Sequence, residues 1–296
     1  MTLTDYLVCA AVLAVGYSLN LLYITIFYHR AVTHRALELR PGLRRFVQQT
    51  GNWVTGLDLK AWVCMHRIHH ANADGPGDPH SPSNVGIVGV ALAQLRSYER
   101  ILVGLSRHDE ALVDVVKDLD FEVNWLNRRK LWYLPYAVHA AVAAALWLST
   151  GLWLLGLVYF LGIMSHPVQG WIVNSFGHAV GSRNFDTPDN SRNNHVGAWL
   201  IWGEGLQNNH HAYPGSAKFS YHWWEADFGW LVARTLERVG AVRVNRAGLI
   251  PRPVTDHIIP EADRRHLADG CPAQARHLPS YSAGRSRRRR RQPSAR

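Results

Sequence analysis

The chain has 296 residues, 47% of them hydrophobic, with 17 His, 12 Trp and a formal net charge of +10. Its three cysteines, Cys9, Cys64 and Cys271, are too few for a disulfide framework and lack the paired spacing of a zinc site, so we interpret them as small hydrophobic residues. The last 21 residues hold eight Arg and no acid. The run 287–291 could bind nucleic acid or anionic lipid, but we interpret this tail as a solvated cytoplasmic segment and expect no nucleic-acid partner.

The first apolar run, Tyr6 to Tyr28, is about 23 residues long and can span a bilayer as a helix. A secretory signal peptide would begin with basic residues, whereas this chain begins MTLTD, so a membrane anchor is favoured. Residues 35–62 mix apolar and charged positions and predict an amphipathic helix at the membrane interface. Residues 86–130 are equally mixed and predict soluble helices folded against the membrane face.

A second apolar block, Leu131 to Val173, is broken at Ser149-Thr150-Gly151. It predicts a helical hairpin made of 131–149 and 152–173. His139 and His166 lie in this block outside any cluster, so we expect them to be packed or interfacial and not ligands. Basic residues flank the block on both sides but not at its turn, which places the histidine clusters and the C-terminus in the cytoplasm.

These segments together predict an all-α fold of about three to four membrane spans, capped by a cytosolic helical domain. The domain covers 1–254, and a basic tail of low order covers 255–296. With three spans the N-terminus lies outside.

Eight histidines fall in clusters beside the apolar segments: His29 and His34; His66, His69 and His70; His178; His210 and His211. The i, i+3, i+4 spacing of the second cluster puts its three imidazoles on one helical face, and Gln207 repeats that spacing with the last cluster. Residues five apart in an α-helix differ by about 140°, so His29 and His34 are expected to face different metals or to straddle the helix end.

Eight imidazoles are too many for one metal ion and about right for two. Nitrogen-rich ligation without thiolates is compatible with iron, copper or zinc. Because no carboxylate stands where a metallohydrolase would need an acid or base, the pattern favours dioxygen activation over hydrolysis.

These residues resemble the membrane fatty acid desaturases, of the stearoyl-CoA or acyl-lipid delta-9 type. The family's HxxxxH box is His29-Arg-Ala-Val-Thr-His34. Its HRxHH box is His66-Arg-Ile-His-His70, followed by Asp78-Pro-His80. Its NS..H element is Asn174-Ser-Phe-Gly-His178, and its third box is Gly203-Glu-Gly-Leu-Gln-Asn-Asn-His-His-Ala-Tyr-Pro214. The likeness covers about residues 10–245.

The resemblance implies two iron ions held by nine histidines and a water bound to Asn174. Eight of the nine are the histidines of the clusters, and the ninth position is Gln207, which can offer a neutral oxygen, hold a water or leave a position open. It also implies an oxidoreductase that inserts a cis double bond into an acyl-CoA or acyl-lipid chain. Electrons would come from an external donor, a ferredoxin or a cytochrome b-type protein with its reductase.

Two alternatives stay open. The same site can hydroxylate a lipid or alkane, and Gln207 favours keeping that hypothesis. A non-catalytic metal-binding or transport protein would need polar residues along a path through the hairpin, which lacks them. The family also has a membrane hairpin before its first box, where only one span fits here, so either the topology has three spans or the true start lies upstream.

Overall fold

The computed structural model describes residues 1–248, and the described chain is mostly helical, which confirms the predicted all-α class. The α-helices are α1 (Leu3–Leu21), α2 (Pro41–Thr55), α3 (Leu59–Asn72), α4 (Pro82–Ser106), α5 (Glu110–Val115), α6 (Trp125–Arg128), α7 (Leu134–Thr150), α8 (Trp153–Ile163), α9 (His166–Phe176), α10 (His195–Leu200), α11 (Gln207–Ala212) and α12 (Phe228–Arg238). A π-helix, Leu22–Thr33, directly continues α1. The predicted tail, 255–296, and Cys271 lie outside the described residues.

The first apolar run forms one continuous helix, Leu3–Thr33, which contains the predicted span. Within residues 1–248 it is the one helix that is long and apolar enough to cross a membrane. From Leu22 onward its hydrogen bonds run from residue i to i+5 in place of i+4, which widens the helix. This change falls where the chain approaches the first histidine cluster.

The predicted hairpin is confirmed at its turn and wrong in its second helix. Gly151 ends α7 with φ +73°, a conformation that glycine adopts without steric cost. The predicted helix 152–173 is interrupted at Met164 and Ser165, and α9 starts afresh at His166. Pro167, in the first turn of α9, lacks the N–H that a continuing helix needs, so the chain restarts there.

Two glycines let α1 and α8 approach closely. A Cβ at Gly16 would lie 3.1 Å from the backbone nitrogen of Ile163, and one at Gly162 would lie 2.8 Å from the Leu13 carbonyl oxygen. The buried Asn20 Nδ2 donates to the Ile163 carbonyl at 2.8 Å. The N-terminal helix is thereby fixed to the hairpin that leads into α9.

The segment predicted as one interfacial helix contains more structure than expected. A short strand, β1 (Leu37–Leu39), precedes α2 and pairs antiparallel with β2 (Val242–Val244). This pairing brings the end of the described chain back to the first histidine cluster. The helices predicted within 86–130 are present as α4, α5 and α6.

Candidate metal centre

Five imidazoles from three parts of the chain converge on one point. One nitrogen from each ring lies within 4.8 Å of the corresponding nitrogens of the other four, and the Nε2 atoms of neighbouring rings are 2.9–3.0 Å apart. Metal–nitrogen bonds of about 2.1 Å place neighbouring ligands about 3.0 Å apart and opposite ligands about 4.2 Å apart. The nitrogens are therefore spaced as ligands of one ion would be. We name this set the five-histidine group: His29, His34, His66, His70 and His210.

The π-helix explains why both residues of the first cluster join this group. The His34 backbone nitrogen donates to the His29 carbonyl at 3.1 Å, an i to i+5 bond, and the two rings lie 4.9 Å apart. His34 caps the π-helix, which ends at Thr33, so the two residues do straddle the helix end as expected. The alternative expectation, that their rings would face different metals, is wrong. It assumed α-helical geometry, whereas the wider π-helix turns both rings the same way.

A second group lies directly beside the first and consists of His69, His178 and His211. The rings of His70 and His211, one from each group, stack with centroids 4.4 Å apart. In each imidazole of this three-histidine group the Nε2 atom is buried and has no hydrogen-bond partner within residues 1–248. Since buried polar atoms are nearly always paired, three such nitrogens together fit a metal ion as their partner.

Carboxylates orient these rings from behind. The Nδ1 atoms of His69, His178 and His211 lie 2.9, 2.8 and 2.8 Å from Asp78, Asp74 and Asp189, respectively. In the five-histidine group, His29 Nδ1 lies 2.6 Å from Glu204. Such carboxylates fix the imidazole tautomer and raise its basicity as a ligand. No role was predicted for any of these four acids. Asp78 and Glu204 lie within the quoted motifs, whereas Asp189 carries no signal, since it lies 22 residues before its partner.

Burial shapes the protonation of the rings. Burial, with help from adjacent imidazoles, lowers the pKa of His66, His70 and His210 well below the ordinary value, so these rings are neutral and can ligate. Burial also lowers the pKa of His211 to about 4. Burial opposes protonation of His69 too, but the charge and hydrogen bond of Asp78 outweigh it and raise that pKa. A metal at His69 therefore competes with a proton that Asp78 favours.

Asn174 and Gln207 lie together on the wall of a cavity that reaches the five-histidine group at His29 and His66. The Gln207 side-chain nitrogen donates to the Glu204 carbonyl at 2.7 Å, and Asn174 donates to Gln94 at 3.3 Å. The structure thus brings both amides to the site region. Whether either meets a metal-bound water or a metal stays a prediction.

His80 lies in the Asp78-Pro-His80 motif, and no role was predicted for it from the sequence. Its ring is 2% exposed, stacks on His69 at 4.9 Å and has no partner for either nitrogen among the described residues. Burial, together with the charge of a protonated His69, lowers the pKa of His80 to about 3. By contrast, His139 is satisfied by Tyr159 and by the Trp53 carbonyl, and it belongs to neither metal group.

Known proteins resemble this chain over nearly all of its described length. The model of the family described as "Fatty acid desaturase" matches residues 4–244. An acyl-CoA 5-desaturase of Anemone leveillei is 34% identical over 222 residues, which cover 73% of this chain and 64% of the relative. The chain therefore spans less than two thirds of that relative's length.

Two relatives whose names give position 9 in place of position 5 are matched over more of their length. Delta-9 acyl-lipid desaturase 1 of Arabidopsis thaliana is 32% identical, over 76% of this chain and 70% of the relative. An sn-1 stearoyl-lipid 9-desaturase of Anabaena variabilis is 30% identical, over 77% of this chain and 82% of the relative. The relatives thus include names for both acyl-CoA and acyl-lipid substrates.

Proposed function

The chain belongs to the fatty acid desaturase family, and from that premise we propose that it is a membrane fatty-acyl desaturase that inserts a cis double bond with two iron ions and dioxygen. The observation that carries this proposal is the pair of adjacent histidine groups, one of five rings and one of three. Eight imidazole nitrogen donors without a thiolate suit iron and dioxygen chemistry.

The five-histidine group would hold one ion and the three-histidine group the other. Gln207 stands at the ninth ligand position, and Asn174 would hold a water at the second ion. Two irons bound there would supply the oxidation of an unactivated methylene by dioxygen. The four carboxylates behind the rings keep the donor nitrogens aimed at the ions.

The cavity next to the metal groups is where we place the acyl chain. Its wall includes Ile24, Leu57, Met65 and Val173, which are apolar, and the aromatic Trp62. The Trp62 ring stacks flat on the imidazole of His66, with centroids 5.0 Å apart. This indole therefore fixes the orientation of a candidate metal-binding ring and also forms part of the cavity wall. An apolar wall excludes water and holds a methylene against the ions.

We propose the delta-9 position because two of the reported relatives carry the number nine in their names. The acyl-CoA 5-desaturase among the relatives is the reason to measure the position directly. The substrate is an acyl-CoA or an acyl-lipid. The electron donor is an external ferredoxin or cytochrome b-type protein with its reductase.

The membrane topology is part of the proposal. The helix Leu3–Thr33 crosses the bilayer, and α7 and α8 enter it as a hairpin, giving the expected three to four spans with continuation into α9. Apolar side chains support this, because Val15, Leu148 and Leu161 are 69%, 79% and 53% exposed on these helices. The histidine groups and the C-terminus would face the cytoplasm, and the desaturase domain would end near 254.

The experiment is expression of the full chain in cells lacking their own desaturase, fed with deuterated stearate. We expect a deuterated cis-9 alkene in the extracted lipids, no product from His69→Ala, and full product from His195→Ala, which removes an exposed histidine outside both groups. Double-bond position is measured by mass spectrometry after derivatisation.

Two other outcomes would replace the proposal. A hydroxylated product without alkene would make the protein a lipid hydroxylase. The altered ligand set, with Gln207 at the ninth position, is the reason to consider this alternative. Unchanged lipids, with two irons bound to the purified protein, would favour a metal-binding protein without this catalytic role.

A further inference from the structure

Apart from the polar residues of the site region, the cavity proposed for the acyl chain has a polar wall on its α9 side. This wall consists of His166 and Gln169 from α9 and Gln94 from α4. Residues three apart on a helix lie on one face, so the two α9 side chains are neighbours. A cavity for an unsubstituted hydrocarbon gains nothing from such groups, whereas a few placed polar groups ordinarily provide specificity.

On the α9 wall two enclosed atoms have no partner within residues 1–248: His166 Nδ1 and Gln169 Oε1. The two nitrogens of His80, which also lines the cavity, are unpartnered too, but that ring lies against His69 of the three-histidine group. Gln169 is 3% exposed, and its amide nitrogen is already held by Ser165 Oγ at 2.7 Å. That bond fixes the amide, so its oxygen is presented in one direction. Leaving a buried polar atom without a hydrogen bond is costly, so we expect a bound group to form hydrogen bonds with these two α9 atoms.

On the same wall, the side-chain amide of Gln94 has hydrogen-bond partners for both its nitrogen and its oxygen. Its nitrogen donates to the Pro167 carbonyl at 2.8 Å, and its oxygen accepts from Asn174 at 3.3 Å. Gln94 therefore braces α9 and Asn174. The unpartnered pair serves no such bracing role within the described chain.

The pair lies close to the reacting region. The His166 ring is 6.4 Å from the Trp62 ring, and Trp62 stacks on His66 of the five-histidine group. One aromatic ring thus separates the polar pair from a metal-binding imidazole. A group bound here would sit a short distance along the acyl chain from the carbons presented to the ions.

We propose that His166 and Gln169 form a subsite for a hydroxyl group carried on the acyl chain, which rests on the proposed function because it assumes that this cavity holds that chain. A hydroxyl donates one hydrogen bond and accepts others. It can donate to Gln169 Oε1 and accept from His166 in the tautomer with its proton on Nδ1. A carbonyl of an ester or thioester can only accept, and it would leave Gln169 Oε1 unpaired.

The test is binding, which does not depend on turnover. The purified, iron-loaded protein is bound to radiolabelled stearoyl chains, which are displaced by a series of monohydroxylated octadecanoyl chains. Both are supplied as CoA thioesters and as phospholipids. We expect one hydroxyl position to bind about 10- to 30-fold more tightly than the unsubstituted chain, as two hydrogen bonds would give.

The variants Gln169→Leu and His166→Leu should each reduce this preference, measured as the ratio of the two affinities in the same variant, by about 5-fold or more. Gln169→Met repeats the test with a side chain of similar length. Gln49→Leu, the same change at an exposed position on α2, should keep the full preference. Circular dichroism checks that each variant is folded.

Equal affinity at every hydroxyl position would overturn the proposal and mean that water alone satisfies the pair. A preference that survives both α9 variants would overturn it as well. If the preference is found but cells produce no alkene, the subsite stands and the desaturase proposal fails, so the two failures are distinguishable.

Discussion

The two histidine groups lie side by side but are built in opposite ways. In the five-histidine group neighbouring donor nitrogens stand 2.9–3.0 Å apart, close enough for the protein alone to surround an ion. In the three-histidine group there are three rings, each held from behind by an aspartate. Metal sites that keep open positions are the ones that bind exogenous ligands. If the proposed function holds, the three-histidine group would leave coordination positions open to exogenous ligands, whereas the five-histidine group would surround its ion with protein nitrogens.

The largest effect is expected from removing one ring of the three-histidine group. His178→Ala leaves two imidazoles there, so the second ion should be lost and desaturation should fall by more than about 100-fold. Iron analysis should give one ion per chain in place of two. His195→Ala serves as the control. Two irons retained in His178→Ala would break the assignment of this ring.

The next largest effect is expected from a carboxylate. Asp189→Asn removes the charge that holds His211, and iron affinity at the three-histidine group should fall by about 10- to 100-fold. The measurement is iron retention during titration with a chelator. Asp186→Asn changes an exposed acid three residues away and should leave retention unchanged. Equal loss in both variants would mean that net charge, and not ring orientation, matters.

A smaller loss is expected in the five-histidine group. His70→Ala leaves four donors, so the first ion should stay bound with an affinity reduced by about 10-fold. The same chelator titration measures it. If His70→Ala loses the first ion as completely as His178→Ala loses the second, then the five-histidine group tolerates the loss of one donor no better than the three-histidine group does.

The smallest effect is a gain. Gln207→His restores a nitrogen donor at the ninth position. Because the three-histidine group has the fewer donors, we expect this donor to tighten the second ion by a few-fold, since imidazole is a better ligand than a neutral amide oxygen. Gln49→His, on the exposed face of α2, is the control. No change in retention would mean that residue 207 does not reach the second ion.

Much of this site was predictable from sequence because its spacing is local. His66, His69 and His70 needed only helical periodicity, and the structure places them on α3 as expected. The break before His166 was also predictable in principle, because Pro167 marks it. The prediction of one helix over 152–173 weighed hydrophobicity above that proline.

Other features have no local signal. The π-helix that turns His29 and His34 together arises within an apolar run that is equally compatible with an α-helix. The pairing of His178 with Asp74 joins residues 104 positions apart, so only the packing of the intervening helices brings them together.

The sequence by itself determined the all-α class, the N-terminal helix and the eight histidines, because helical periodicity, apolar length and metal-ligand chemistry are written along the chain. Only the tertiary structure decided the division into five and three rings, the aspartates behind the second group and the unpartnered atoms of His166 and Gln169. These depend on which side chains meet after distant helices pack, and contacts between distant segments leave no periodic trace in a single sequence.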